Sequence, residues 1–360
     1  MIVRDEAEVI AETLGNILSH FDITTWVIHD TGSRDNTSEI VTQFFKERGL
    51  EGKLRHRSWE SFGANRQYAL EDCAGLSDYV LFFDADNRIE GKVPELPAGP
   101  DAMTLNMRGA STIYPAKLIV KNNGSFRWRG IVHEGLYFSG ASEKTQHISG
   151  DYAVVSRRAG ARSRDSSTYY RDARLLVQAI ENIGNEDRDL LPRYTFYCAN
   201  SWRDAQAPHE AIPWYKKRIS LGGWKDEVYL SWLGLGIELN KIGDQDGALL
   251  AFLSGQDVCP ERAECLYQLA RMQRMRGRPE TALAFAREGL RRSLPDRPRL
   301  FVWCNVYAYW LDFEYLLCLK DLGRLSEGGD ALERMRAANA PDHLYKILEV
   351  SYEKHSKRPG

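Results

Sequence analysis

The sequence has no apolar run long enough to cross a bilayer, so it predicts no membrane-spanning helix. No charged-then-apolar leader opens it, so it does not read as a secreted chain. Its six cysteines include no Cys-x-x-Cys pair and no metal-ligand spacing. Cys73, Cys198, Cys259, Cys265, Cys304 and Cys318 therefore read as reduced core residues of a cytoplasmic protein. Excess charge of either sign is missing too. The net charge is −2, which gives no electrostatic case for a nucleic-acid partner. What remains is ordinary globular composition, 43% hydrophobic and 27% charged. A length of 360 residues leaves room for two domains, each with its own core.

The most informative stretch is Tyr79-Val80-Leu81-Phe82-Phe83-Asp84-Ala85-Asp86. An unbroken β-prone apolar run reads as a strand buried on both faces. Asp84 and Asp86 then lie where that strand leaves the core. Ligands of open α/β sheets bind at this C-terminal edge. Two carboxylates so close repel unless a cation or a donor joins them. Hard oxygen ligands at this spacing suit Mg²⁺ or Mn²⁺ carrying a substrate's phosphates. The competing reading is an acidic turn that caps the next element.

The preceding residues read as β-α-β-α-β-α-β, which predicts parallel strands with right-handed crossovers. Met1-Ile2-Val3 is the end of a strand. A helix over 7–20 follows, then strand Thr25-Trp26-Val27-Ile28 ending at His29-Asp30. A capping-rich turn, Thr31 to Thr37, opens the next helix. Asp30 and Asp84 land on one sheet edge, which favours the functional reading of these carboxylates. Beyond Asp86 come Pro94, Pro97, Gly99 and Pro100, then short β-like runs at 102–107, 118–120, 136–138 and 152–155. Among them lies Phe126-Arg127-Trp128-Arg129-Gly130-Ile131-Val132-His133-Glu134-Gly135. Adjacent His133 and Glu134 point to opposite faces on a regular strand, and to one cleft only on a loop or bulge. A polar edge strand is the simpler reading of that segment.

Five blocks together resemble family 2 glycosyltransferases of the GT-A fold. They are Val3-Arg4-Asp5-Glu6, Asp30 to Thr37, Trp59-Glu60-Ser61-Phe62-Gly63-Ala64-Asn65-Arg66-Gln67-Tyr68-Ala69-Leu70, Asp84-Ala85-Asp86 and Trp128 to Glu134. A lone Asp-x-Asp is weak evidence, whereas ordered blocks are specific. The resemblance is strongest to two bacterial branches. One adds sugars to lipopolysaccharide core; the other carries helical repeats and includes bacteriocin S-glycosyltransferases. The resemblance implies an inverting, metal-dependent enzyme using a nucleotide-sugar, a UDP-sugar first, with a peptide, protein or glycan as acceptor. It implies that Val3, Asp30, Arg66 and Asp84 bind the donor, with Asp30 at the base or ribose and Arg66 near the diphosphate. Asp86 is implied as a metal ligand, His133 as a second ligand or phosphate contact, and Glu134 as general base. Two departures stand out. The family's first strand normally carries several apolar residues before the Val-Arg-Asp-Glu position, and Asp5 replaces its usual asparagine.

From Ser166 the pattern becomes helical. Gly243 to Gly277 spans 34 residues, and so does Ala248 to Ala282, the period of tetratricopeptide helix pairs. The expected architecture is an α/β GT-A domain over 1–160 with a mostly parallel, Rossmann-like sheet. An all-α tetratricopeptide-like domain over 161–360 follows it. The repeats would hold the acceptor or a second subunit, which allows a homodimer. The rival reading is an interaction scaffold whose GT-A domain is weak or inactive. A nucleotidyltransferase on the same sheet predicts a glycine-rich loop after the first strand, and the sequence has none.

Overall fold

The computed structural model describes residues 1–109, 112–156, 167–295 and 299–348. The chain divides into two compact units, Met1–Ala207 and Pro208–Gly360. The expected boundary at 160/161 lies outside the described residues.

The first unit opens with β1 (Ile2–Val3), α1 (Ile10–His20), β2 (Trp26–Asp30), α2 (Thr37–Glu47), β3 (Gly52–His56) and α3 (Phe62–Glu71). The three strands form a parallel sheet in the order β1-β2-β3, as the alternating pattern predicts. Apolar residues at helical spacing give α1 and α2 one buried stripe each. Ile10 and Leu14 join Val3, Ile28, Val41, Phe44 and Phe45 in one cluster, which also takes in Ala85.

β4 (Tyr79–Leu81) departs from the expected alternation. It pairs antiparallel with β7 (Thr112–Lys121), through Tyr79 opposite Lys121 and Leu81 opposite Ile119. The long β7 also pairs antiparallel with β6 (Ala102–Arg108) along its other edge. Within the first unit this ten-residue strand thus serves two neighbours, and a local sequence pattern cannot show such a non-consecutive pairing. Beyond β4 the chain stays buried through Phe82 and Phe83 and then reaches Asp84 and Asp86. β5 (Asn87–Gly91) pairs antiparallel with β11 (Tyr152–Ser156), and β10 (Thr145–His147) lies parallel to β6. The α/β class holds; the second sheet is mixed rather than parallel.

β8 (Phe126–Arg129) and β9 (Gly135–Phe138) make a separate antiparallel hairpin in which Arg129 faces Gly135. Residues 130–134 are its loop. After the strands come α4 (Thr168–Glu181), a 3-10 turn at Asn185–Leu190, and α5 (Leu191–Asp204). α4 and α5 pack together and belong to the first unit.

The second unit is helical: α6 (Pro208–Leu221), α7 (Lys225–Lys241), α8 (Gln245–Val258), α9 (Glu264–Met275), α10 (Pro279–Leu290), α11 (Leu311–Asp321) and α12 (Gly329–Ala337). The 34-residue period is visible in it. Gly243 and Gly277 follow α7 and α9, while Ala248 and Ala282, in the first turns of α8 and α10, are fully buried. Among the described residues no helix is long and apolar enough to cross a membrane.

Candidate active site

Three separate elements converge on one guanidinium. Arg66 projects from α3, whose start is fixed by Ser61, the side chain of which accepts a hydrogen bond from Ala64 N at 3.2 Å. Asn65, fully buried, accepts from Glu60 N and donates to Ser58 O. This explains why the Trp59-to-Leu70 block carries polar residues inside an apolar helix pattern. Arg66 Nη2 lies 2.5 Å from Asp84 Oδ1, and Arg66 Nε lies 2.6 Å from Glu134 Oε1. The first contact is a hydrogen-bonded ion pair. The second is a close ion pair without hydrogen-bond alignment. Burial opposes the charge on Arg66, and the two carboxylates outweigh that cost, so its pKa is raised above its ordinary value. Trp128 sits beneath, 5.1 Å from the guanidinium carbon and edge-on to Phe82.

The Asp84-to-Asn87 turn is held from behind by α1. Thr13 Oγ1 donates to Ala85 O at 2.6 Å. Asn16 Nδ2 donates to Ile89 O, and Ile89 N donates back to Asn16 Oδ1. Asp86 is half-buried, with Ser156 Oγ 3.5 Å from its Oδ2. Thr13 and Asn16 were not foreseen. Their one signal is polarity: Thr13, entirely buried, interrupts the apolar stripe of α1.

Asp30 ends β2 and is 2% exposed. Its Oδ1 accepts from Gly32 N and Ser33 N, and its Oδ2 accepts from Ser38 Oγ at 2.5 Å. Burial alone would raise its pKa; the bonds from Ser38, Ser33 and Gly32 prevail and hold it below the usual carboxylate range. Here the carboxylate shapes its own turn. That turn is laced to the Val3-to-Glu6 block. Asp5 N donates to Ser33 Oγ, Arg34 N donates to Asp5 Oδ1, and Glu6 N donates to Thr37 Oγ1. Asp5, at φ 55°, therefore fills a structural position in the turn. The Val3 side chain lies in the core, and its carbonyl accepts from Thr31 N and Oγ1.

His133 and Glu134 occupy the β8–β9 loop, which removes the simpler reading of an edge strand. The loop folds against α3 closely enough that a Cβ on Gly63 would collide with the Gly130 carbonyl oxygen. Gly130 itself has φ 109°, and His133, with a side chain, has φ 51°. The His133 ring stacks on Tyr197 of α5 at 4.3 Å between centroids. Arg193, also on α5, donates from Nε to His133 O at 2.7 Å and from Nη2 to Glu134 O at 3.1 Å. No local sequence pattern marks Arg193 or Tyr197 as a partner of this loop.

Among the described residues no group of three or more His, Cys, Asp and Glu encloses a metal position. The donors present fit a hard divalent cation in one way only. That is a Mg²⁺-type site, in which one or two carboxylates share the ion with substrate phosphates. A cavity of about 700 Å³ exists elsewhere, lined by Val27, Ile28, Val80, Leu81 and Phe82, and none of Arg66, Asp84, Asp86 and Glu134 borders it.

Residues 1–96 match the family model for glycosyl transferase family 2. This family 2 segment contains Asp30, Arg66, Asp84 and Asp86; His133 and Glu134 follow it in the chain. The protein thus has a sheet-containing family 2 domain at its N-terminal side and a helical region after it. A TPR repeat-containing protein of Synechococcus elongatus is 39% identical over 90 residues, which are 25% of this chain and 20% of that protein's length. Among solved structures, MamA is similar with a TM-score of 0.38 and 13% identity, over 55% of this chain and 96% of its own. A tetratricopeptide repeat protein from Parabacteroides merdae gives a TM-score of 0.41 and 14% identity, over 54% of this chain and 70% of its own.

Proposed function

We propose that this protein is an inverting glycosyltransferase, moving a sugar from a UDP-sugar to a peptide, protein or glycan acceptor. The observation that carries the reading is the placement of Arg66 between Asp84 and Glu134. A guanidinium oriented by two carboxylates beside a sheet edge would meet the donor's diphosphate, which competes with those carboxylates for its charge. Asp84 accepts hydrogen bonds from ribose or sugar hydroxyls. Asp86 would hold Mg²⁺ or Mn²⁺ together with the donor's phosphates, with His133 as a phosphate contact, and the cation would neutralise the charge of the leaving diphosphate.

Glu134 takes the acceptor's proton. As it does so, the acceptor oxygen forms a bond to the anomeric carbon, and the bond to the diphosphate oxygen breaks with its electron pair. One base and one direct displacement give inversion.

The six cysteines are free thiols, which supports a reducing, cytoplasmic setting where UDP-sugars are available. The helical hairpins of the second unit are assigned to the acceptor or to a second copy of the chain. Calorimetric titration of UDP, with and without Mn²⁺, tests the reading. Binding that tightens with Mn²⁺ is expected, followed by turnover with one member of a UDP-sugar panel. Absence of binding under both conditions would overturn it in favour of a scaffold.

A further inference from the structure

The loop that carries Glu134 is held from about 60 residues further along the chain. On its entry side, Arg129 donates to Asp189 and Asp187 at 2.7–2.9 Å and to Glu186 O at 2.9 Å, in the 3-10 turn before α5. In its middle, the ring of the buried Tyr194 lies against Gly130, 3.6 Å from where a Cβ there would sit. On its exit side, Arg193 takes two consecutive carbonyls, those of His133 and Glu134, and Tyr197 stacks on the His133 ring. Arg193 and Tyr197 are four residues apart and so share one face of α5. The Arg193 guanidinium also lies 5.0 Å from the Tyr197 ring.

We propose that Arg193 is a positioning residue for sugar transfer. It fixes the two peptide groups that decide where Glu134 points. This deepens the proposed function and rests on the reading of Glu134 as base. His133 is in a left-handed conformation that residues with side chains adopt only where their surroundings impose it. The carbonyls of His133 and Glu134 flank the Glu134 peptide and Cα. Holding both sets the direction of the Glu134 side chain toward Arg66. A single arginine fork meets both carbonyls at once, whereas a lysine is one point of charge and cannot span them in the same way. The contact is to backbone, so it does not depend on which side chains the loop carries.

The test uses the full chain with Arg193→Ala and Arg193→Lys. Three quantities are read: kcat against KM for the donor, UDP affinity with Mn²⁺ by calorimetry, and amide exchange over residues 130–135. For Arg193→Ala, kcat is expected to fall about 10²-fold, the size of a small misplacement of a reacting group, while donor KM stays within about threefold. Amide exchange in 130–135 should accelerate and UDP affinity should hold. Arg193→Lys should recover part of kcat and part of the protection, and it serves alone if the alanine variant does not fold. Parental kcat in the variants would overturn the proposal. A fall in kcat with unchanged exchange in 130–135 would overturn it too, since Arg193 would then act on substrate directly. If the parent protein transfers no sugar, the reading of Glu134 fails instead. Exchange in 130–135 then still decides whether Arg193 holds the loop.

Discussion

Arg66 Nε lies 2.6 Å from Glu134 Oε1 although the two residues come from a helix and a distant hairpin loop. Both side chains are largely buried, at 13% and 11% exposed. The contact ties the proposed base to the proposed diphosphate ligand, so removing one should be felt by the other.

Glu134→Gln keeps shape and hydrogen-bonding capacity but cannot take a proton. With a hydroxyl acceptor, turnover should fall by roughly two to four powers of ten. Donor affinity should hold or rise, because Arg66 loses a carboxylate that competes with phosphate. Rate and UDP affinity measured on one preparation check this. Near-parental turnover would remove Glu134 from the mechanism. A thiol acceptor would blunt the test, since a thiolate needs little help from a base.

The two strand-end carboxylates should separate by function. Asp84 shares Arg66, whereas Asp86 is assigned to the cation. Asp86→Ala should abolish turnover, and chelation of divalent ions should do the same to the parent protein. Asp84→Ala should mainly weaken UDP binding. A kinetic titration with Mn²⁺ decides: unchanged Mn²⁺ dependence in Asp86→Ala would defeat the assignment.

Much of this site was legible before the structure, because it lies in local blocks. Asp84 and Asp86 follow the apolar run that begins with β4, and Arg66 lies mid-way along α3 within the Trp59-to-Leu70 block. The loop around Glu134 was legible only as an alternative, because Phe126 to Gly135 reads more simply as an edge strand. What was not legible is long-range. Thr13 reaches Ala85 across 72 positions, and Arg193 reaches His133 across 60. Neither bond leaves a periodic trace in sequence. The antiparallel placement of β4 was hidden for the same reason, since its partner β7 comes after two other strands.

The Asp30 turn gives a pH prediction. The folded pKa of Asp30 lies below the ordinary 3.8. Its contribution to stability is therefore fully present above 3.8 and is lost as pH falls through the lower folded value. Asp30→Asn should destabilise the protein at neutral pH by about 1–2 kcal/mol, the range for weakening charge-assisted bonds to Ser38, Ser33 and Gly32. The gap between the two proteins should narrow once the medium is acid enough to protonate Asp30. Urea midpoints at neutral and acid pH measure it. A gap independent of pH would mean that the shape of the turn, not its charge, carries the effect.

The last prediction concerns where the catalytic unit ends. Arg66, Asp84, Asp86 and Glu134 all precede residue 160, so a chain cut there keeps every proposed contact to donor and acceptor proton. It loses Asp187, Asp189, Arg193 and Tyr197, which hold the Glu134 loop, and Tyr194, which packs against it. The β8–β9 strands keep their packing against Leu70, Val80 and Phe82, but the loop between them loses these tethers. The cut chain should therefore still bind UDP with Mn²⁺, while residues 130–135 exchange their amides quickly and transfer is lost. A chain ending at Ala207 retains both arginine tethers and the compact unit. It should protect 130–135 like the parent and bind UDP with parental affinity. Its transfer to the natural acceptor should fall if the helical hairpins beyond Ala207 serve as the acceptor platform. Amide exchange and UDP calorimetry on the two shortened chains, side by side, separate these expectations. Equal protection of 130–135 in both would show that the hairpin loop holds its shape without α5.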